Sequence, residues 1–177
     1  MEKVKRLNRE LRAKGSVIDL YKDTVEINGV VAEWDYFHHD GGAAVVPVTE
    51  DGKLVLVRQY RNALDSFSLE LPAGKLDATD EPTLECARRE LTEETGYQTE
   101  DISYLLTVHT MVAFCNEKVD IYLARHLEKA DRCLDAEESI DVELWELADL
   151  KRMIYEGKLT DSKTVAGIMA YAACCAS

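Results

Sequence analysis

The sequence predicts an α+β fold, a mixed β-sheet flanked by helices with an extension of β-strands at its N-terminus. Three observations carry this. Short alternating or apolar runs bounded by Asn, Asp and Gly fill the region before residue 62 and return after residue 101. Helical patterns occur at Pro82–Gly96, Leu147–Glu156 and Ser162–Ala176. No strand–helix–strand unit repeats, so the sheet is not built as a parallel array of crossovers. The organisation expected is an N-terminal strand extension over residues 1–41 and a main domain over 42–177.

Met1–Lys14 is basic and mixed, and reads as a frayed or short helical start. Ser16–Tyr21 and Thr24–Ile27 alternate as strands, and Asn28-Gly29 is a strong hairpin signal leading into Val30–Phe37. His38-His39-Asp40 reads as a loop before Gly41-Gly42, because adjacent histidines on a strand point to opposite faces and make a poor metal site. Ala43–Val48 is a buried strand, and Asp51-Gly52 turns the chain into a strand over Leu54–Tyr60. In the central helix, Pro82 suits the first turn, where a missing N–H costs nothing, and Gly96 suits the stop. Leu84, Cys86, Ala87 and Leu91 supply its apolar stripe. Downstream, Ile102–Thr107, Lys118–Arg125 and Val142–Glu146 read as strands, His109–Asn116 and Asp131–Asp141 as loops. Asp161 or Ser162 is the expected cap of the last helix.

The chain has 177 residues, enough for one domain with a substantial core. A formal net charge of −13 argues against a nucleic-acid backbone or an anionic membrane as partner. It leaves room for a phosphorylated substrate, since a bound cation inverts the local field. Five cysteines, Cys86, Cys115, Cys133, Cys174 and Cys175, are odd in number and fit no zinc spacing. With no visible signal peptide and no apolar run of transmembrane length, the expectation is a cytoplasmic protein with reduced thiols.

The unusual feature is the central helix. Glu90, Glu93 and Glu94 stand at spacings that place three carboxylates together, opposite the apolar stripe. Like charges so placed cost ~0.2–0.5 kcal/mol per pair on an exposed helix, which Arg89 offsets by pairing with Glu93 or Glu85. A solvated acidic face is the plain explanation. A cluster of hard oxygen donors behind the Gly74 loop is also what Mg²⁺ prefers, and Mg²⁺ commonly serves phosphate chemistry. Arg58 and Arg61, at the end of a strand, read as ordinary polar residues or as bidentate phosphate contacts.

Arg89-Glu90-Leu91-Thr92-Glu93-Glu94-Thr95-Gly96-Tyr97 resembles the second half of the Nudix box, matching each fixed position with an aromatic at the last apolar one. The first half is longer by one residue, with six residues between Gly74 and Glu81 where the box has five, so its first acid is Asp80 or Glu81. Val57-Arg58-Gln59-Tyr60-Arg61 followed by Glu70-Leu71-Pro72-Ala73-Gly74-Lys75 is similar to the ADP-ribose pyrophosphatase branch of that family. Two departures are visible. Met111-Val112-Ala113 stands where that branch commonly carries Ser-Pro-Gly, and Asp135-Ala136-Glu137-Glu138 interrupts a more uniformly acidic loop.

The resemblance implies the Nudix α/β/α sandwich over roughly residues 42–175. It implies a hydrolase, with Mg²⁺ as cofactor and Mn²⁺ as its substitute, that splits ADP-ribose to AMP and ribose 5-phosphate. The alternatives are another Nudix substrate class (a GDP- or UDP-sugar, a dinucleoside polyphosphate, a non-canonical nucleoside triphosphate) or a non-catalytic ADP-ribose sensor. Glu90, Glu93 and Glu94 would be both catalytic and metal-binding, with the backbone carbonyl of Ala73 a further ligand. Glu138 or Glu137 would activate water, with Glu117 in reserve. Arg58, Arg61, Glu70, Trp34 and Phe114 would bind a nucleoside diphosphate substrate. The resemblance also implies a homodimer held partly by the N-terminal strands, and the alternation of that segment makes Tyr21, Val30, Trp34 and Tyr36 the candidate contacts.

Overall fold

In the computed structural model, residues 3–78, 80–134 and 139–174 are described. The chain divides into two compact units, Met1–Gly41 with His109–Lys118, and Gly42–Val108 with Val119–Ser177. His109–Lys118 thus falls in the smaller unit.

In the smaller unit, β1 (Lys5–Lys14), β2 (Asp19–Ile27) and β3 (Val30–His38) form an antiparallel sheet with β2 in the centre. The expectation of a helical start at Met1–Lys14 is corrected, since Lys5–Lys14 is a strand. Leu7, Leu11 and Ala13 share one face, but Lys5 and Arg9 interrupt it and nearly the whole strand is exposed, so its alternation is faint. Pairing with β2, broken by irregularities at Arg6/Asn8 and Leu11/Ala13, imposes the extended state, and a charged, irregular edge is how sheets avoid further pairing. The two runs read as separate strands are one, β2. Asn28 and Gly29 both take positive φ, 51° and 75°, as a two-residue hairpin turn requires. Arg9 forks onto buried Asp23 with two bonds of 2.6 Å and lies 3.5 Å from the centre of the Tyr36 ring. Tyr21 faces Tyr36 across the strands, and Val30 and Trp34 lie exposed on that same face.

Apart from His109 and Lys118 at two strand ends, the larger unit holds β4 (Gly42–Pro47), β5 (Leu54–Arg61), β6 (Ser66–Glu70), β7 (Ala73–Lys75), α1 (Thr83–Thr95), β8 (Tyr97–Gln98), β9 (Ile102–His109), β10 (Lys118–Ala124), β11 (Glu128–Lys129), β12 (Ile140–Trp145), α2 (Leu147–Tyr155) and α3 (Ser162–Cys174). The order β7-β4-β10-β9 makes one mixed sheet, parallel between β4 and β10 and antiparallel between β4 and β7. A second sheet runs β12-β5-β6, antiparallel throughout. The predicted α+β class and its α/β/α layering are the observed ones.

Strand β4 shows why layers form on both sides. All six of its residues are buried, as expected of a strand covered on two faces. Ala43 and Val45 pack with Cys86, Ala87 and Leu91 of α1 and with Tyr122 and Ala124. Ala44, Val46 and Val48 pack the other way with Leu54, Leu56, Leu150 of α2 and Ile168 and Tyr171 of α3. Gly167 lets α3 close on this face, because a Cβ there would stand 2.7 Å from Leu71 Cδ1. Pro82 precedes α1 as an extended cap residue and does not occupy its first turn, and its carbonyl accepts from the Glu85 and Cys86 N–H groups. Gly96 ends α1 at φ 68°, donating to the Thr92 carbonyl.

Candidate active site

Helix α1 packs its apolar stripe on β4 and presents its next face to β7. That face carries Glu90 and Glu94, which are 8% and 3% exposed. The expectation that all three glutamates lie opposite the stripe is therefore corrected. Only Glu93 is substantially open to solvent, while Glu90 and Glu94 are buried by the approach of Ala73–Lys75.

The contact is close. A Cβ at Gly74 would stand 1.9 Å from Glu90 Oε1, so only glycine admits the carboxylate there. The Ala73 N–H donates to Glu94 Oε2 at 2.9 Å. Nη1 of Arg89 donates to Glu90 Oε1 at 2.7 Å and to Glu93 Oε2 at 3.1 Å, and its Nε lies 3.3 Å from Asp77 and 3.5 Å from Glu81. Of the two candidate first acids, Glu81 is thus the one Arg89 reaches, while Asp80 is exposed. Burial disfavours the Arg89 charge, but the charge and hydrogen bond of Glu90, with the Glu93 hydrogen bond, together raise the arginine's pKa. Cys86, whose Sγ lies 3.4 Å from the Lys75 carbonyl, is pushed up to about 12 by burial and then by Glu90. A thiol so protonated is a packing group, as the sequence suggested.

Among the described residues, no three His, Cys, Asp or Glu side chains stand in a metal-holding group. The donor chemistry nevertheless fits a hard divalent cation. Two buried carboxylates meet a backbone strand at a glycine whose missing side chain leaves them room, and oxygen donors of this kind suit Mg²⁺.

A second cluster lies at the end of β6. Glu70 is a buried carboxylate gripped by the fork of Arg61, with two bonds of 2.7 Å, and by Lys163 of α3 at 2.5 Å. Burial pushes this carboxyl up, but the Arg61 hydrogen bonds and the Lys163 charge prevail and hold it down to about 2. Asp161 accepts from Lys163, from the Thr164 N–H and from the Thr164 hydroxyl, so Asp161 is the cap of α3. Thr164 in turn accepts from the Leu71 N–H at 2.8 Å. Lys163 was missed in the sequence. It lies 93 residues from Glu70 in a helix whose pattern speaks only of packing, and no local signal marks it.

Arg58 does not join this cluster. Three residues from Arg61 on a strand, it points to the other face, where it forks onto Glu143 of β12 at 2.5 and 3.2 Å. Trp34 and Phe114 belong to the smaller unit. Trp34 sits opposite Asp23 on β3, and Phe114 packs edge-on against Phe37 with centroids 5.8 Å apart. Met111–Phe114 closes through bonds from the Phe114 and Cys115 N–H groups to the Met111 carbonyl. No positive φ is required there, so this turn forms without the Pro-Gly that the resemblance expects. Glu117 accepts from Thr110 and lies 3.6 Å from His39. Glu137 and Glu138 lie outside the described residues.

Residues 38–166 match the family model of the NUDIX domain. The chain belongs to the NUDIX family. Its likeness to ADP-ribose pyrophosphatase of Bacillus subtilis (strain 168) is 35% identity over 167 residues, 93% of this chain and 90% of that protein. The ADP-ribose pyrophosphatase of Mycobacterium tuberculosis is 31% identical over 167 residues, 93% of this chain and 81% of that protein. The methanol dehydrogenase activator of Bacillus methanolicus is 35% identical over 167 residues, 93% and 90% of the two chains. A crystal structure of an ADP compounds hydrolase superposes with a TM-score of 0.85 at 23% identity, covering 98% of this chain and 94% of that one, and shows the shared fold. Both the Nudix assignment made from Arg89–Tyr97 and the reading of the chain as a Nudix pyrophosphohydrolase hold. Among the described residues, no helix of this Nudix protein is long and apolar enough to cross a membrane.

Proposed function

We propose that this Nudix protein hydrolyses the pyrophosphate bond of ADP-ribose to AMP and ribose 5-phosphate, with Mg²⁺ as the divalent cation and Mn²⁺ able to replace it. The observation that carries the reading is the pair of buried carboxylates, Glu90 and Glu94, packed against Ala73–Gly74. Relatives named as ADP-ribose pyrophosphatases, similar over 93% of the chain, support the substrate.

Glu90, Glu94 and the Ala73 carbonyl would hold the cation, with Glu93 sharing or supporting the site. A cation there supplies charge neutralisation at the pyrophosphate and acidifies an attacking water. The chain's own residues do the rest. Arg89 fixes the orientation of Glu90 and Glu93, and Arg61 offers a planar donor fork to a phosphate. Glu137 or Glu138 takes the proton from water, with Glu117 the reserve.

The test is kcat/KM for ADP-ribose beside a nucleoside triphosphate and a GDP-sugar. ADP-ribose is expected to lead, with weaker release of AMP from other ADP-sugars. A tenfold preference for either competitor, roughly 1.4 kcal/mol in transition-state binding, overturns the substrate reading and leaves the family unaffected. One second reading has its own support, the identity to a methanol dehydrogenase activator. It expects methanol dehydrogenase turnover to rise on adding this chain, and unchanged turnover dismisses it.

A further inference from the structure

Glu70 is a carboxylate with 4% of its side chain exposed and two cations bound to it, and those cations differ in freedom. Arg61 is 41% exposed, whereas Lys163 is 14% exposed and tied to Asp161 at 3.0 Å. The four charges form a balanced set, two positive and two negative. A buried carboxylate with only one counterion holds it tightly, because releasing it strands a charge in a poorly solvated place. A carboxylate with two can release the more exposed one.

We infer that Lys163 is a positioning residue for substrate. By remaining on Glu70 it allows Arg61 to turn from that carboxylate to a phosphate of the substrate. The inference rests on the proposed role of Arg61 as a phosphate contact. The anchorage of Lys163 supports it. Asp161 caps α3 through the Thr164 N–H, and Thr164 accepts from the Leu71 N–H beside Glu70. The lysine is therefore carried by the same joint that holds the start of α3 to the Glu70 strand. Among the described residues, the side-chain hydrogen bonds of Arg61 go to Glu70, while the Glu94 and Asp161 charges attract it without such a bond.

The test compares Lys163→Met with Lys163→Arg in the full chain. In Lys163→Met, Arg61 becomes the sole counterion of Glu70 among the described residues and is withheld from the phosphate in ground and transition states alike. KM for ADP-ribose is expected to rise about tenfold or more with kcat within about twofold, the pattern of lost uniform binding. Lys163→Arg is expected to restore most of the affinity. Thermal unfolding establishes that each variant is folded, and if the methionine variant is not, Lys163→Gln, which keeps a donor toward Glu70, carries the same comparison. A fall in melting temperature with native KM indicates a purely structural tie and overturns the inference. Calorimetric titration with inorganic pyrophosphate and Mg²⁺ reads the same contact without turnover. If the native chain releases no AMP from ADP-ribose but pyrophosphate binding still weakens in Lys163→Met, the substrate reading fails and the lysine's role stands. If ADP-ribose is hydrolysed and the variant keeps its KM and its pyrophosphate affinity, the lysine inference fails alone.

Discussion

Gly74→Ala tests the carboxylate site without altering any of its donors. A methyl group there would stand 1.9 Å from Glu90 Oε1 and 2.2 Å from its Cδ. Ordinary van der Waals contact begins near 3.4 Å, so the carboxylate must retreat by about 1.5 Å. The backbone need not move, because the nearest obstructing atoms are the end of a side chain and Gly74 does not take a positive φ. The stability loss is the Arg89–Glu90 bond of 2.7 Å, about 1–3 kcal/mol, partly offset by ~0.5–1 kcal/mol from the reduced freedom of the unfolded chain. Catalysis is affected more severely, since a misplacement of ~1 Å in a positioned group can cost about 10²-fold. The assay is ADP-ribose turnover at limiting and saturating Mg²⁺, with thermal unfolding alongside. A folded variant with turnover down about 10²-fold is expected, and the double variant with Glu90→Gln should be little worse than either single one, because both act on one group. Near-native turnover of Gly74→Ala at limiting Mg²⁺ would refute the placement of Glu90 at the site.

Glu94→Gln keeps the shape and an acceptor for the Ala73 N–H while removing the charge. Turnover at limiting Mg²⁺ should fall at least about 10²-fold if Glu94 binds the cation, and a near-native rate removes it from the ligands. Changing Glu137 and Glu138 together to Gln should slow hydrolysis by about 10²-fold or more if one is the base, whereas a small effect shifts the role to Glu117. For Glu70, a folded-state pKa of about 2 lies below the ordinary 4.5. Its contribution, about 3 kcal/mol, is present above pH 4.5 and is lost as pH falls toward 2. Unfolding between pH 5 and 3 should therefore show a flatter pH dependence in Glu70→Gln, and parallel curves would contradict this. A homodimer through the β1–β3 sheet should sediment above the 19.9 kDa of one chain at micromolar concentration, and a species of single-chain mass alone excludes it.

Read alone, the sequence settles local features. The bounds of α1 followed from Pro82 and Gly96 to within a residue, and the β2–β3 turn from Asn28-Gly29, because caps and tight turns depend on neighbouring residues and allowed φ values. Helical spacing also puts Glu90, Glu93 and Glu94 within a turn of one another, and Arg89 reaches both Glu90 and Glu93 in the structure. The strand state of Lys5–Lys14 was not legible, because its alternation is faint and β2 dictates its conformation. Which glutamates are buried was decided by β7, a three-residue strand whose Gly74 approaches Glu90 and whose Ala73 N–H binds Glu94. Arg61 and Arg58 looked alike in sequence and were separated by strand alternation and by distant partners, Glu70 with Lys163 for one and Glu143 for the other. Charges buried by long-range packing find their counterions wherever the fold places them, and residues 70 and 163 become neighbours only once α3 has closed over β4.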